Sequence, residues 1–205
     1  MARRPKTTLR KRPRQERAQA TVQALLEATA RVLVREGYEG CSTNRVAAAA
    51  GVSIGSLYQY FPSKEALIAE LLEHYTTQFQ TLVLGYLERE ARTEPRIVAA
   101  ALVRMMVELK RGNPKLARVL REQIPRVGRM NRYEENLDRI GEAVVAYLLG
   151  HPSALRHPDP ERLGDVVYVV VHTVDSVTHQ GVVQERDAER LVADVTDMIV
   201  RFLFR

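Results

Sequence analysis

The sequence predicts an all-helical protein of about nine helices, with a three-helix domain near its start and a larger helical domain behind it. Three observations carry this. Apolar residues recur at helical spacing in almost every segment. The segments are bounded by helix punctuation, with Ser, Thr, Asn or Asp before a stripe and Gly or Pro after it. The chain of 205 residues is 45% hydrophobic, enough to bury a core and too much for a disordered chain.

The elements follow in order. Val22, Leu25, Leu26, Thr29, Val32 and Leu33 form the stripe of a first helix, which Gly37 should stop. Thr43 is the expected N-cap of a second helix running through Asn44, Arg45, Val46 and Ala47 to Gly51. Ser53 caps a third, short helix through Tyr60. After Pro62, Ser63 caps a long helix whose apolar face is Leu67, Ile68, Leu71, Leu72, Tyr75, Phe79, Leu82, Val83, Tyr86 and Leu87. The next helix should span residues 93–111 and end at Gly112. Asn113-Pro114 pairs an N-cap with the residue favoured at the first helical position and opens residues 115–124, which Pro125 breaks. Residues 127–149 follow, then a Pro-punctuated loop at 151–158. Asp159-Pro160 opens a helix to about Gln184. Asp187 caps another through Phe202, with Leu191, Val195, Met198, Ile199 and Phe202 as its stripe. There is no internal repeat and no low-complexity tract besides a basic arm.

One segment competes with this reading. Residues 166–171 are Val-Val-Tyr-Val-Val-Val, which would suit a buried strand. They lie in a longer capped segment, and no second strand is available to pair with them. Helix is the prediction, and a helix apolar almost all round should be buried on several sides, as at a subunit interface.

Charge narrows the function. The net charge is +6, but residues 1–17 hold eight basic groups and one acid, while residues 65–205 hold 19 basic and 21 acidic. The surplus is one short arm on a nearly neutral body, and the arm reads as disordered. The longest strongly apolar run, residues 166–171, is six residues, against about 20 for a membrane helix. The basic start has no apolar stretch behind it, so it is no secretory signal. The single cysteine, Cys41, excludes an intrachain disulfide and a multi-cysteine zinc site. A soluble, cytoplasmic protein is the expectation. Cys41 reads as an inert small residue, since no nearby cation or second thiol would make it a redox sensor.

The sharpest signal is residues 43–64: a short helix, a tight turn at Gly51-Val52, and a second short helix. This is the helix-turn-helix plan, in which the first helix braces the second and the exposed face of the second enters the major groove. The alanines at 47–50 let the helices pack closely, and Gly51 suits a left-handed turn. Val52 and Leu57 fall on the packed face, leaving Ile54, Gly55, Ser56, Tyr58, Gln59 and Tyr60 outward. A face with a glycine, a hydroxyl and two tyrosines can approach phosphates and hydrogen-bond them, although half-buried tyrosines also serve as plain core. Gly51-Val52-Ser53-Ile54-Gly55 matches the G-x-S-x-G elbow of esterases literally. That motif needs a strand before the serine, and alanines precede it here. Ser53 is better explained as a cap.

At these residues the resemblance is to a family. Gly37-Tyr38, Ser42-Thr43, Val46-Ala47, Ala50-Gly51-Val52-Ser53, Gly55, Leu57-Tyr58, Tyr60-Phe61 and Ser63-Lys64-Glu65-Ala66-Leu67 resemble the DNA-binding signature of the tetracycline-repressor (TetR) family, over roughly residues 17–72. The resemblance implies a homodimeric regulator of transcription, a repressor released from a palindromic operator by a small molecule. It implies DNA contacts from Thr43, Asn44, Ile54, Gly55, Ser56, Tyr58, Tyr60 and Lys64, with Arg45 adding charge. Ile54 cannot hydrogen-bond a base and would make an apolar contact. It also implies a division into a basic arm (1–16), a helix-turn-helix domain (17–64) and an effector-binding and dimerisation domain (65–205). The arm is either a solvated tail or an accessory lying along phosphates; its position beside the motif favours DNA.

For the larger domain the two helices at 159–184 and 187–202 are the expected dimer interface. An effector pocket would draw on Phe79, Met105, Met106, Leu109, Leu120, Tyr133, Leu137 and Tyr147, each of which could equally be ordinary core. His172, Asp175, Ser176 and His179 fall on one helix face in a valine-rich segment. As polar groups they need partners, whether across the dimer, in a polar ligand or in a metal. No cofactor is expected, because no fourth metal ligand is identifiable. The alternatives are an activator or ligand-independent DNA-binding regulator and, from another class, a helical enzyme or metal-binding protein using His172, Asp175 and His179.

Overall fold

A computed structural model describes residues 16–205. The basic arm, through residue 15, lies outside the described residues. Among the described residues are nine α-helices: α1 (Glu16–Gly40), α2 (Thr43–Ala50), α3 (Ile54–Tyr60), α4 (Lys64–Arg89), α5 (Pro95–Gly112), α6 (Pro114–Gln123), α7 (Met130–Leu149), α8 (Pro160–Val183) and α9 (Ala188–Leu203). Residues 166–171 are helical within α8. None of these helices is long and apolar enough to cross a membrane.

Side-chain caps explain most boundaries. Ser53 accepts from the Ser56 amide at 3.1 Å, Ser63 from Ala66 at 3.2 Å, Asn113 from Leu116 at 3.0 Å, Asp159 from Arg162 at 2.9 Å and Asp187 from Arg190 at 2.8 Å. Each satisfies an amide that the first helical turn leaves unpaired. Four expected boundaries move. Ser42, not Thr43, caps α2, its oxygen accepting from the Arg45 amide at 3.3 Å. Glu94 caps α5 through the amides of Arg96 and Ile97, because the Thr93 hydroxyl donates to Glu90 instead. α7 starts at Met130, because Gly128 turns the chain at φ +64°. The 151–158 loop holds a short 3-10 turn, Pro152–Ala154, before Leu155 makes an antiparallel bridge to Phe204. Gly37 breaks α1 as expected, with φ +69°, and one further turn follows to Gly40.

The chain separates into two compact units. The first holds the described residues up to Tyr75 together with residues 118–132. Its core is built from Leu25, Leu33, Val46, Leu57, Phe61, Leu67 and Ile68, all fully buried. The first-helix stripe is buried throughout, and the Thr29 hydroxyl is satisfied by the Leu25 carbonyl at 2.7 Å. In this unit α2 packs on both α1 and α3.

The second unit holds residues 76–117 and 133–205. There α5 packs on α8 and α9, and α8 on α9, around Val103, Val107, Leu163, Val167, Val195 and Leu203. The α8–α9 approach is close: a methyl group on Gly181 would lie 2.6 Å from Leu191. A bidentate pair from Arg104 to Glu189, at 2.6 and 2.8 Å, ties α5 to the first turn of α9. That hydrogen bonding, then the Arg104 charge, holds the Glu189 carboxyl below its ordinary 4.5. The expected stripes of α4 and α9 are only partly buried. Leu82, Met198 and Phe202 face outward.

Candidate nucleic-acid interface

The α2–α3 pair is locked by small devices. Gly51 has φ +69° and ψ +27°, a left-handed conformation that ordinary side chains resist. Its N–H donates to the Ala48 carbonyl at 3.2 Å, and the Val52 N–H donates to Ala47 at 3.1 Å. Val46, Ala47 and Leu57 are buried between the helices, so the opposite side of α3 is left to solvent. On that side Ile54 and Tyr58 are 38% and 41% exposed. Gly55 and Gln59 are exposed with them, and Ser56 and Tyr60 are half-buried. A methyl group on Gly55 would touch nothing closer than the Ser53 hydroxyl at 3.9 Å, so the surface there is open.

Hydroxyl groups are paired along this face. Thr43 Oγ1 and Tyr58 Oη share a hydrogen bond at 3.0 Å, joining the start of α2 to the middle of α3. Ser53 and Ser56 share another at 2.8 Å. A hydroxyl that accepts from its neighbour keeps its own proton to donate outward. Asn44 is exposed beside them.

The cations are less free than their sequence suggests. Arg45 donates to the Glu36 carboxylate and to the Gly40 carbonyl at 2.8 Å. Glu36 also accepts from Arg35 at 2.6 Å, and this hydrogen bond first, with the charges of Arg45 and Arg35 behind it, keeps its carboxyl below the ordinary 4.5. The Lys64 ammonium lies 4.2 Å from the Tyr38 ring centre and donates to the Tyr38 carbonyl at 3.2 Å. Arg126 sits 5.1 Å from the same ring. Tyr38 donates to Glu65 at 3.3 Å, and burial chiefly, with the Glu65 charge next, raises its pKa. Cys41 beneath is buried, and desolvation lifts its thiol to about 11.

The second unit contains an apolar cavity of about 90 Å³. Phe79 and Met106 line it, as does Tyr147, whose hydroxyl donates to the Thr93 carbonyl at 2.6 Å. The other expected pocket residues lie elsewhere. Met105 packs behind the wall, against the cluster of Val83, Leu87, Val98 and Ile140, all of which line the cavity, and Leu109 is half-buried outside the lining. Leu137 and His172 line an open groove between α7 and α8. Leu120 is buried in the stretch that belongs to the first unit. The polar residues of α8 divide as well. Asp175 and His179 are buried, while Ser176, a single helical step away, is exposed, so the four do not share one face. The His172 ring is 4.3 Å from that of Tyr168, with Nε2 3.9 Å from Asp138. Among the described residues no three His, Cys, Asp or Glu side chains gather as a metal site.

Asp175 has partners that sequence reasoning missed. Lys110 donates to its carboxylate at 2.9 Å, to its carbonyl at 2.8 Å and to Thr178 at 3.0 Å; Tyr133 donates to the other carboxylate oxygen. The available signal was Lys110 itself, which continues the buried α5 stripe of Val103, Met106 and Val107 at helical spacing and therefore demands an acid.

Comparison with known proteins agrees with this geometry. Residues 25–71 match the family model for bacterial regulatory proteins of the tetR family. Residues 95–203, more than half the chain, match the tetracyclin repressor-like C-terminal domain. The nucleoid occlusion factor SlmA of Actinobacillus pleuropneumoniae is 37% identical over 87 residues, which is 42% of this chain and 41% of that protein. The Pasteurella multocida factor is 32% identical over 110 residues, 54% of this chain and 53% of its own. The chain thus spans about half or less of the curated relatives it matches. Among solved structures, the fatty acid degradation regulator FadR from Bacillus halodurans superposes with a TM-score of 0.74 at 18% identity, covering 93% of this chain and 97% of that one. A TetR-family regulator from Streptomyces coelicolor superposes at 0.66 with 22% identity, covering 90% and 96%. These two show the fold.

Proposed function

Because the chain belongs to the TetR family of bacterial regulatory proteins and is a DNA-binding transcriptional regulator, we propose that it is a homodimeric repressor. It holds a pseudo-palindromic operator and releases it when a small molecule fills the cavity of the second unit. The observation that carries the DNA half is the solvent face of α3, where Ile54, Gly55 and Tyr58 stand open above a capped and braced helix pair. Thr43, Asn44, Ser56, Tyr58 and Tyr60 supply hydrogen bonds to phosphates and base edges. Ile54 supplies an apolar contact. Lys64 and Arg45 supply charge fixed by their partners rather than mobile. The basic arm adds affinity without sequence information.

Dimerisation is proposed through α8 and α9. Tyr168, Val169, Val177, Met198 and Phe202 are large apolar side chains exposed on these two helices, and an exposed apolar surface of this kind marks an interaction site. Two readers related by a two-fold axis then meet half-sites about one helical turn apart. The switch runs through α4, which contributes Lys64 to Tyr75 to the first unit and its remainder, including Phe79 and Val83 of the cavity, to the second. A ligand favouring one placement of this helix would change operator affinity by the usual 5–150-fold of such coupling. The family is typically non-enzymatic and acts in the cytoplasm, where we place this chain. Ser53 fits that reading, as its hydroxyl is engaged in capping α3.

Fluorescence titration of labelled operator duplex tests the reading. Tyr58→Ala should abolish sequence preference while leaving the helical content unchanged, and Ser176→Ala should bind as the parent does. Equal binding by both variants would overturn it.

A further inference from the structure

The cavity of the second unit has a chemical signature that restricts what can enter it. Its walls come from α4, α5, α7, α8, α9 and Phe204, and no Asp, Glu, Lys, Arg or His lines it. Most lining residues sit inside helices, where the peptide N–H and C=O groups are bonded within the helix. The one side-chain hydroxyl in the wall, Tyr147, is already committed to the Thr93 carbonyl at 2.6 Å. Of the charged residues that adjoin the lining in sequence, Asp175 turns to Lys110 and Tyr133, Arg104 to Glu189, and Arg96 to Glu94 and the Arg205 carbonyl, its guanidinium 5.7 Å from the Phe204 ring. A hydrogen-bond acceptor placed in the cavity therefore finds no donor, and a carboxylate or phosphate there would be a buried unpaired charge.

Resting on the effector reading above, we propose that the ligand is an uncharged hydrocarbon or aryl molecule held by burial alone. At about 90 Å³ the cavity is smaller than the engineered cavities of roughly 150 Å³ that take benzene. It can still widen. Met106 is unbranched and adaptable, and Phe79 is only half-buried. Ligand entry would move these two, and Phe79 belongs to α4.

The full chain should be titrated with toluene, n-octane and sodium octanoate. Three readouts are followed: the thermal midpoint, the methyl spectrum of its five methionines, and operator affinity. Toluene and n-octane should raise the midpoint, shift the Met106 methyl and leave that of Met198, exposed on α9, in place, and bind about tenfold or more tighter than octanoate. Ala99→Phe, which fills the cavity, should remove these effects. Leu102→Ala, which enlarges it, should shift the preference toward larger probes and guards against the first variant misfolding. Octanoate binding as tightly as n-octane, or no uncharged probe binding at all, would overturn the proposed ligand class. Binding by toluene or n-octane without any change in operator affinity would uphold the class and overturn the release mechanism instead.

Discussion

Tyr58 reaches from α3 to the first residue of α2 and shares one hydrogen bond with Thr43. That bond places the hydroxyl at the exposed surface of α3. Tyr58→Phe should therefore leave the fold intact and weaken operator binding by about 0.5–1.5 kcal/mol, the worth of one hydrogen bond. Anisotropy titration beside a thermal melt separates the two effects, and an unchanged affinity would remove this hydroxyl from the interface. Cys41 illustrates the opposite case. Burial raises its thiol to about 11, above its ordinary 9.0, so at pH 8 almost none is thiolate in the native state. Disulfide exchange with a small aromatic disulfide at pH 8 should be slow in buffer and rapid in denaturant. Its rate should climb steeply only as the pH approaches 11. Rapid native reaction at pH 8 would mean that this pocket opens.

At the scale of elements, the ends of α5 and α7 are fastened to α8 by one buried group. Lys110 is 16% exposed and Asp175 7%, and Tyr133 and Thr178 complete their hydrogen bonds. Removing one partner leaves the other charge buried, which costs about 3–5 kcal/mol. Lys110→Met should lose that much in urea unfolding, and Lys110→Met with Asp175→Leu should recover most of it. A single variant as stable as the parent would show the pair to be solvated. Much at this scale was legible in the sequence, because caps and breakers are local chemistry. Ser53, Ser63, Asn113, Asp159 and Asp187 all cap where their positions imply. Thr43 misleads because the residue before it, Ser42, caps α2, while the Thr43 hydroxyl pairs with Tyr58. Gly37, Gly51 and the face of α3 could be read from spacing and glycine alone. The Lys110–Asp175 pairing could not, since 65 residues separate the partners and a lone buried acid has no local signature of its mate. For the same reason nothing local placed Leu120 in the first unit or turned Ser176 outward.

The whole molecule concentrates its charge where the proposed function needs it. Residues 1–17 carry eight basic groups and one acid, and the last two of them open α1, the helix on which α2 packs. Deleting residues 1–14 should weaken binding to operator and random duplex alike. It should also flatten the salt dependence by about 0.9 log unit for each phosphate that the arm neutralises. An unchanged slope would leave the arm a solvated tail. The central claim is that two copies read one palindrome with the exposed face of α3, and selection of bound duplexes from a random pool tests it most directly. The full chain should enrich a two-fold symmetric site with half-sites about one helical turn apart, and Tyr58→Ala should enrich nothing. An enriched site without symmetry, or the same site recovered by Tyr58→Ala, would contradict it.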